Sequence, residues 1–117
     1  MFSLQVKVEG LDNLVRFLSR FESLREPVGD AVHLFLEKTV FDAKAVVPVR
    51  TGRLQSSIMF GGGGWEWWVG SRLEYAPYIE FGTSRMFPRP YVWPALNQNI
   101  PNLQKNLVSM FENWLGG

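Results

Sequence analysis

No cysteine occurs among the 117 residues. That excludes disulfides, zinc–thiolate centres and thiol nucleophiles together. A single histidine, His33, excludes every ligand motif that needs two. Charge of one sign is lacking as well. Twelve basic residues against eleven acidic ones leave a formal net charge of +1, so no global field draws the chain to nucleic acid or to an acidic membrane. No window approaches the roughly 18 apolar residues of a membrane span. Met1-Phe2-Ser3-Leu4-Gln5 has neither the basic start nor the long apolar run of a signal peptide. A soluble protein made in the cytoplasm is expected.

What is present points to one folded domain over residues 1–117. Hydrophobic residues make up 46% of the chain and charged residues 20%, a balance that disordered chains do not reach. Aromatics reach 15%, with five Trp and nine Phe, which suits a core or a partner surface. Phe2, Leu4, Val6 and Val8 alternate with polar residues and predict a strand that ends at Gly10. Leu11, Leu14, Val15, Leu18 and Phe21 then repeat at helical spacing, with Asp12 suited to the helix start. Glu26-Pro27 breaks that helix, and Pro27 suits the first turn of the next. Val28, Val32, Phe35, Leu36, Val40, Ala43 and Val47 form a long stripe, with Leu34 and Phe41 widening it. This helix, from about Pro27 to Val47, is expected to be the spine of the fold.

The middle changes texture. Thr51-Gly52-Arg53-Leu54 reads as a turn. Ser57–Phe60 opens a strand, Gly61–Gly64 reads as a mobile loop, and Trp65–Val69 resumes as a strand, giving a hairpin. Trp65, Trp67 and Val69 share one side of that strand, while Trp68 faces the other with Glu66. Trp68 is then either a half-exposed ring or a contact with another subunit. Tyr75–Phe81 allows one or two helical turns, closed by Gly82-Thr83-Ser84. An extended Pro-rich stretch leads to a last helix carrying Leu96, Ile100, Leu103, Leu107, Met110 and Trp114, which Pro101 bends or delays. The architecture expected is α+β: a single domain with an antiparallel β-sheet packed against a long α-helix and additional N- and C-terminal helices.

Catalytic chemistry finds no footing in these patterns. Asp30, His33 and Glu37 share one helix side, but with Lys44 they trace an ordinary polar stripe. The glycine run lacks the Gly-Lys-Ser/Thr of a phosphate loop. No Gly-x-Ser-x-Gly elbow occurs, and Glu66, Glu74 and Glu80 show no spacing that selects an acid–base pair. No enzyme activity, cofactor or metal is expected. Residues 48–94 hold Arg50, Arg53, Arg72, Arg85 and Arg89 among aromatics and contain no lysine. Such a stretch suits an arginine-rich protein interface. The alternative is a small nucleic-acid-binding phage or plasmid accessory protein that stacks bases and contacts phosphates.

Three segments carry a resemblance. They are Pro48-Val49-Arg50-Thr51-Gly52-Arg53-Leu54-Gln55-Ser56-Ser57-Ile58, Tyr75-Ala76-Pro77-Tyr78-Ile79-Glu80-Phe81-Gly82-Thr83 and Arg89-Pro90-Tyr91-Val92-Trp93-Pro94-Ala95. In this order and spacing they resemble the HK97-type family of neck and tail-completion proteins of long-tailed bacteriophages and prophages. Arg50 departs from the acid often found before Thr-Gly in that family. The resemblance implies a virion protein at the head–tail junction, assembled in the host cytoplasm. Its subunits would form a homo-oligomeric ring with other phage neck and tail proteins. DNA would pass through without sequence-specific binding, and no membrane would be involved. It makes Thr51, Gly52, Arg53, Leu54, Tyr75, Ala76, Glu80, Phe81, Gly82, Thr83, Arg89, Pro90 and Pro94 the motif residues. Gly52 and Gly82 suit turns, Tyr75, Tyr78 and Phe81 suit anchoring on the sheet, and Arg53, Glu80 and Arg89 suit ion pairs between the segments. Trp68, Arg50, Arg72 and Arg85 are the candidate interface residues.

Overall fold

Two long apolar helical stripes need each other's cover, and their pairing organises the molecule. The computed structural model describes residues 9–47 and 52–116. The strand expected over residues 2–8 lies outside them. In order come α1 (Glu9–Leu18), a 3₁₀ turn (Glu22–Leu24), α2 (Arg25–Val46), α3 (Arg53–Ser57), β1 (Met59–Gly63), β2 (Glu66–Gly70), α4 (Ala76–Phe81) and α5 (Val92–Gly116). The fold is α+β: a two-stranded antiparallel sheet, a long helix, and helices at both ends of the chain.

The core lies between α2 and α5. Val28, Val32, Leu36, Thr39 and Ala43 from α2 meet Val92, Ala95, Leu96, Asn99, Ile100, Leu103 and Leu107 from α5. Both sets repeat every three to four residues, so each helix buries one stripe. The helices run antiparallel. The Asn99 side-chain amide near the start of α5 donates to Asp42 near the end of α2, at 2.9 Å. At the opposite end, Phe17 of α1 and Phe21 pack against Phe111 of α5, with ring centroids 5.3 and 5.7 Å away. The resulting body is elongated, 53 × 25 × 23 Å.

Several boundaries differ from the sequence expectation. α1 already includes Gly10, so Gly10 does not terminate an element but sits within a helix. Pro27 occupies the third position of α2, where its missing N–H is still harmless. α5 starts at Val92 and runs through Pro101 without interruption. Pro94 stands in its first turn, again where no amide is needed.

The largest correction concerns the glycine run. Gly61, Gly62 and Gly63 are not a loop but the outer half of β1, paired with Trp68, Trp67 and Glu66. The turn is only Gly64-Trp65, and Gly64 supplies φ +61 at its first position, as a two-residue hairpin turn requires. The reason for glycine in the strand is steric. A Cβ at Gly61 would lie 2.8 Å from the Trp68 ring, and one at Gly62 would run into the Glu66 carbonyl oxygen. The indole of Trp68 thus lies across a strand stripped of side chains. The other face of the hairpin rests on α2, where Phe60 and Trp67 reach His33, with ring centroids at 5.1 and 6.5 Å. Trp65, Trp67 and Val69 pack on the core side, as their alternation predicts.

Candidate functional site

The region from α3 to the start of α5 gathers the family-like segments at one end of the molecule. The N-terminal segment is described only from Gly52 onward, so Arg50 and Thr51 fall outside the described residues. Gly52 takes φ +77 and precedes α3, which makes the expected turn a short helix. Leu54 is buried in the core, while Arg53 is exposed at the helix start. The Gln55 side-chain amide donates to the Lys44 carbonyl at 2.9 Å, and Ser57 shares a 2.6 Å hydroxyl contact with buried Ser71. Ser71 Oγ also accepts the Leu73 N–H, and the Leu73 carbonyl accepts from Ala76. The chain of bonds ties the α3 segment to the α4 segment.

Glu80 ties α4 to α5. A helix leaves its opening amides without partners, and the stretch Arg89-Pro90-Tyr91 offers no Ser, Thr, Asp or Asn to cap α5. Glu80, 3% exposed, fills that need from a distance. Its Oε1 accepts the Tyr91 and Val92 amides at 3.1 and 2.9 Å, and Oε2 accepts the Trp93 amide at 3.2 Å. The next residue is Pro94, which has no amide to satisfy. The carboxylate also sits where the helix dipole favours a negative charge. Ion pairs with Arg53 and Arg89 were the sequence expectation for Glu80. The structure gives its oxygens to backbone amides instead, because a buried carboxylate is best stabilised by several fixed donors. Arg89 contributes its backbone, donating to Ile79 at 2.7 Å.

Tyr91 completes the junction. It is fully buried, and its hydroxyl donates to the Ala76 carbonyl at 3.4 Å. Burial, and then the negative charge of Glu80, pushes this hydroxyl's pKa far above the ordinary tyrosine value. Gly82 ends α4 at φ +76, and a Cβ there would stand 2.8 Å from the Met86 carbonyl oxygen and the Pro88 nitrogen. That close approach folds residues 83–88 back on α4. Thr83 pairs with Met86 across a tight turn, and its hydroxyl accepts the Arg85 amide at 3.1 Å.

The junction presents an unusual outer surface. Tyr78 is 56% exposed, Phe81 64% and Phe87 90%. Tyr75, Met86 and Trp93 add smaller exposed areas, and Arg85, Arg89, Pro90 and Pro94 are exposed beside them. The expectation that Tyr75, Tyr78 and Phe81 anchor a turn on the sheet is therefore corrected. Ala76, Ile79 and Glu80 face inward on α4, and the aromatics project from its opposite side. Phe87 escaped attention in the sequence, although a lone Phe between Met86 and Pro88 in an extended stretch has no periodic reason to be buried.

The candidate interface residues divide. Arg85 belongs to this surface. Trp68 does lie opposite Trp67, but it is half-buried over Gly61, and the Arg72 guanidinium stands 5.5 Å above its ring. The two side chains occupy each other. Among the described residues no cluster of three His, Asp or Glu side chains could hold a metal ion. Also among them, no helix is long and apolar enough to cross a membrane.

A family model described as "Bacteriophage HK97-gp10, putative tail-component" matches residues 12–82, more than half of the chain. The match spans the α3 and α4 segments and stops at Gly82, before the segment that opens α5. No curated protein and no solved structure matches the chain. The chain thus belongs to the bacteriophage HK97-gp10 family of tail components.

Proposed function

We propose that the protein completes or joins the tail at the head–tail junction of the virion, as a ring of identical subunits contacting other neck and tail proteins. Its role is structural, without catalysis, cofactor or metal. DNA passes through the ring without sequence-specific contact, and assembly takes place in the host cytoplasm. The observation that carries the reading is the surface of Tyr78, Phe81 and Phe87 flanked by Arg85 and Arg89. Aromatic and arginine side chains are the residues that dominate binding energy at protein interfaces. They are held here by a junction too well satisfied to be a mobile loop. Membership in a tail-component family supplies the setting.

A phage lacking this gene tests the reading. Electron microscopy of its lysate should show filled heads and separate tails, and a plasmid copy of the gene should restore joined particles with a ring at the neck. Fully joined, infectious virions in the absence of the gene would sink it. Salt-sensitive binding of the isolated protein to single-stranded DNA, with particle joining unaffected by the deletion, would favour a nucleic-acid role instead.

A further inference from the structure

A second exposed surface complements the first in both shape class and charge. It runs along α2 on the side turned away from α5. Leu34 and Phe41, 66% and 71% exposed, stand there in place of the buried positions that their apolar character suggests. At about 100° per residue, Glu26, Asp30, Leu34, Glu37 and Phe41 fall within an arc of about 80°. All five are exposed. Among the described residues, the one ion-pair contact of Glu37 is with His33, at 4.0 Å. Glu26 and Asp30 hold no ion pair among the described residues. The arc's remaining member, Lys44, is half-buried near the end of the helix. The face is therefore two large apolar side chains framed by carboxylates. The surface of Tyr78, Phe81 and Phe87 is the converse, apolar side chains framed by arginines.

Like cannot pair with like across such surfaces. Two copies meeting through the arginine patch would oppose Arg85 and Arg89 with themselves. Two copies meeting through α2 would oppose carboxylates, and like-charge juxtaposition costs several kcal/mol. The pairing that matches sign and covers apolar area on both sides is patch to α2. The two surfaces share no residue, so this contact is head-to-tail. A repeated head-to-tail contact closes into a ring when its rotation permits.

We infer that the Tyr78–Phe81–Phe87 patch of one copy docks, with Arg85 and Arg89, on the acidic outer face of α2 in the next copy. The inference rests on the ring reading above and names the two faces that would build the ring. The absence of cysteine from the chain allows a direct test. A chain carrying both Ala45→Cys and Ser84→Cys, exposed positions beside Phe41 and Arg85 that leave both docking faces whole, expressed in the deletion phage and oxidised in assembled particles, should give a ladder of covalent multimers on a non-reducing gel. Either cysteine alone should give none. In parallel, Arg85→Glu with Arg89→Glu, or Asp30→Arg with Glu37→Arg, should each lower joined particles about tenfold or more. All four changes in one chain should restore them, because every interface is then reversed on both sides. Joined particles without a ladder, or a fourfold variant no better than either pair, would overturn the inference and leave the ring reading standing. If a charge variant loses its cooperative melt, the cysteine arm decides alone. Normal virions without the gene would remove both.

Discussion

Glu80 caps a helix whose own sequence offers no cap, and its replacement should be felt in the fold. Glu80→Ala would leave the amides of Tyr91, Val92 and Trp93 without an acceptor, the first two buried and the third partly so. Hydrogen bonds to a charged acceptor are worth about 1.5–3 kcal/mol, and orphaned buried donors cost more than the bond itself. A loss of about 3 kcal/mol or more in urea denaturation is expected for Glu80→Ala. Glu80→Gln should lose less, because one oxygen survives. A change below about 0.5 kcal/mol for the alanine variant would show that the amides find other partners. This role was hidden in the sequence for a physical reason. The acid and its donors lie eleven to thirteen residues apart, and only the uncapped start of α5 hinted that an acceptor must come from elsewhere. Gly61 carries a second residue-scale claim. Gly61→Ala should destabilise the hairpin, since the new Cβ would stand 2.8 Å from the Trp68 ring. Adding Trp68→Ala should remove most of that penalty, and a double-mutant cycle would read the coupling. Additive effects would mean that the indole does not lie across the glycine.

At the scale of elements, the long helices were legible and the hairpin's interior was not. The stripe of Val28, Val32, Leu36 and Ala43 and that of Leu96, Ile100, Leu103 and Leu107 are both buried as their period demands. Leu34 and Phe41 broke the rule, being apolar yet exposed, because period alone cannot say how wide a stripe the partner helix covers. The glycine strand was misread because glycine's intrinsic cost argues against a strand, whereas a cross-strand indole needs the absence of side chains. The expected outcome is now the reverse of a mobile tip. The ladder amides of residues 60–63 and 66–69 should exchange more slowly than those of Gly64 and Trp65 in the turn, and uniform fast exchange across Gly61–Gly63 would contradict the pairing. The α2–α5 contact adds a pH dependence. Hydrogen bonds from Lys38 and then from Asn99 hold the Asp42 carboxyl below its ordinary value of 3.8. A depressed carboxyl contributes stability that is present above the unfolded-state value and is lost as pH falls through the lower folded-state value. Asp42→Asn should therefore lower the melting temperature at neutral pH, where that contribution is present, change it little in strong acid, and so flatten the acid limb below about pH 4. An unchanged acid limb would assign it to other groups.

At the scale of the whole molecule, the aromatic bundle and the proposed joining surface lie at different ends. The radius of gyration is 15.6 Å, against roughly 13 Å for a compact chain of this length. At one end, Phe17, Phe21, Phe111 and Trp114 bundle α1 against α5, with centroids 4.9–5.7 Å apart. At the other end, the Glu80 junction holds exposed aromatics on a rigid base. An elongated body with its proposed interaction surface remote from the aromatic bundle should lose assembly and stability through different residues. Phe87→Ser and Tyr78→Ser alter side chains that are 90% and 56% exposed, so their unfolding free energies should stay within about 0.5 kcal/mol of the parent. In the deletion phage, however, the double variant should leave heads and tails unjoined. Glu80→Ala should do the opposite in the purified protein, lowering its midpoint in urea while every exposed side chain is kept. Measured together, the two variants separate a surface needed for joining from a junction needed to hold it. If Phe87→Ser with Tyr78→Ser destabilises the fold as much as Glu80→Ala does, those rings belong to the core in solution. If it joins particles at the parental rate, the working surface lies elsewhere on the molecule.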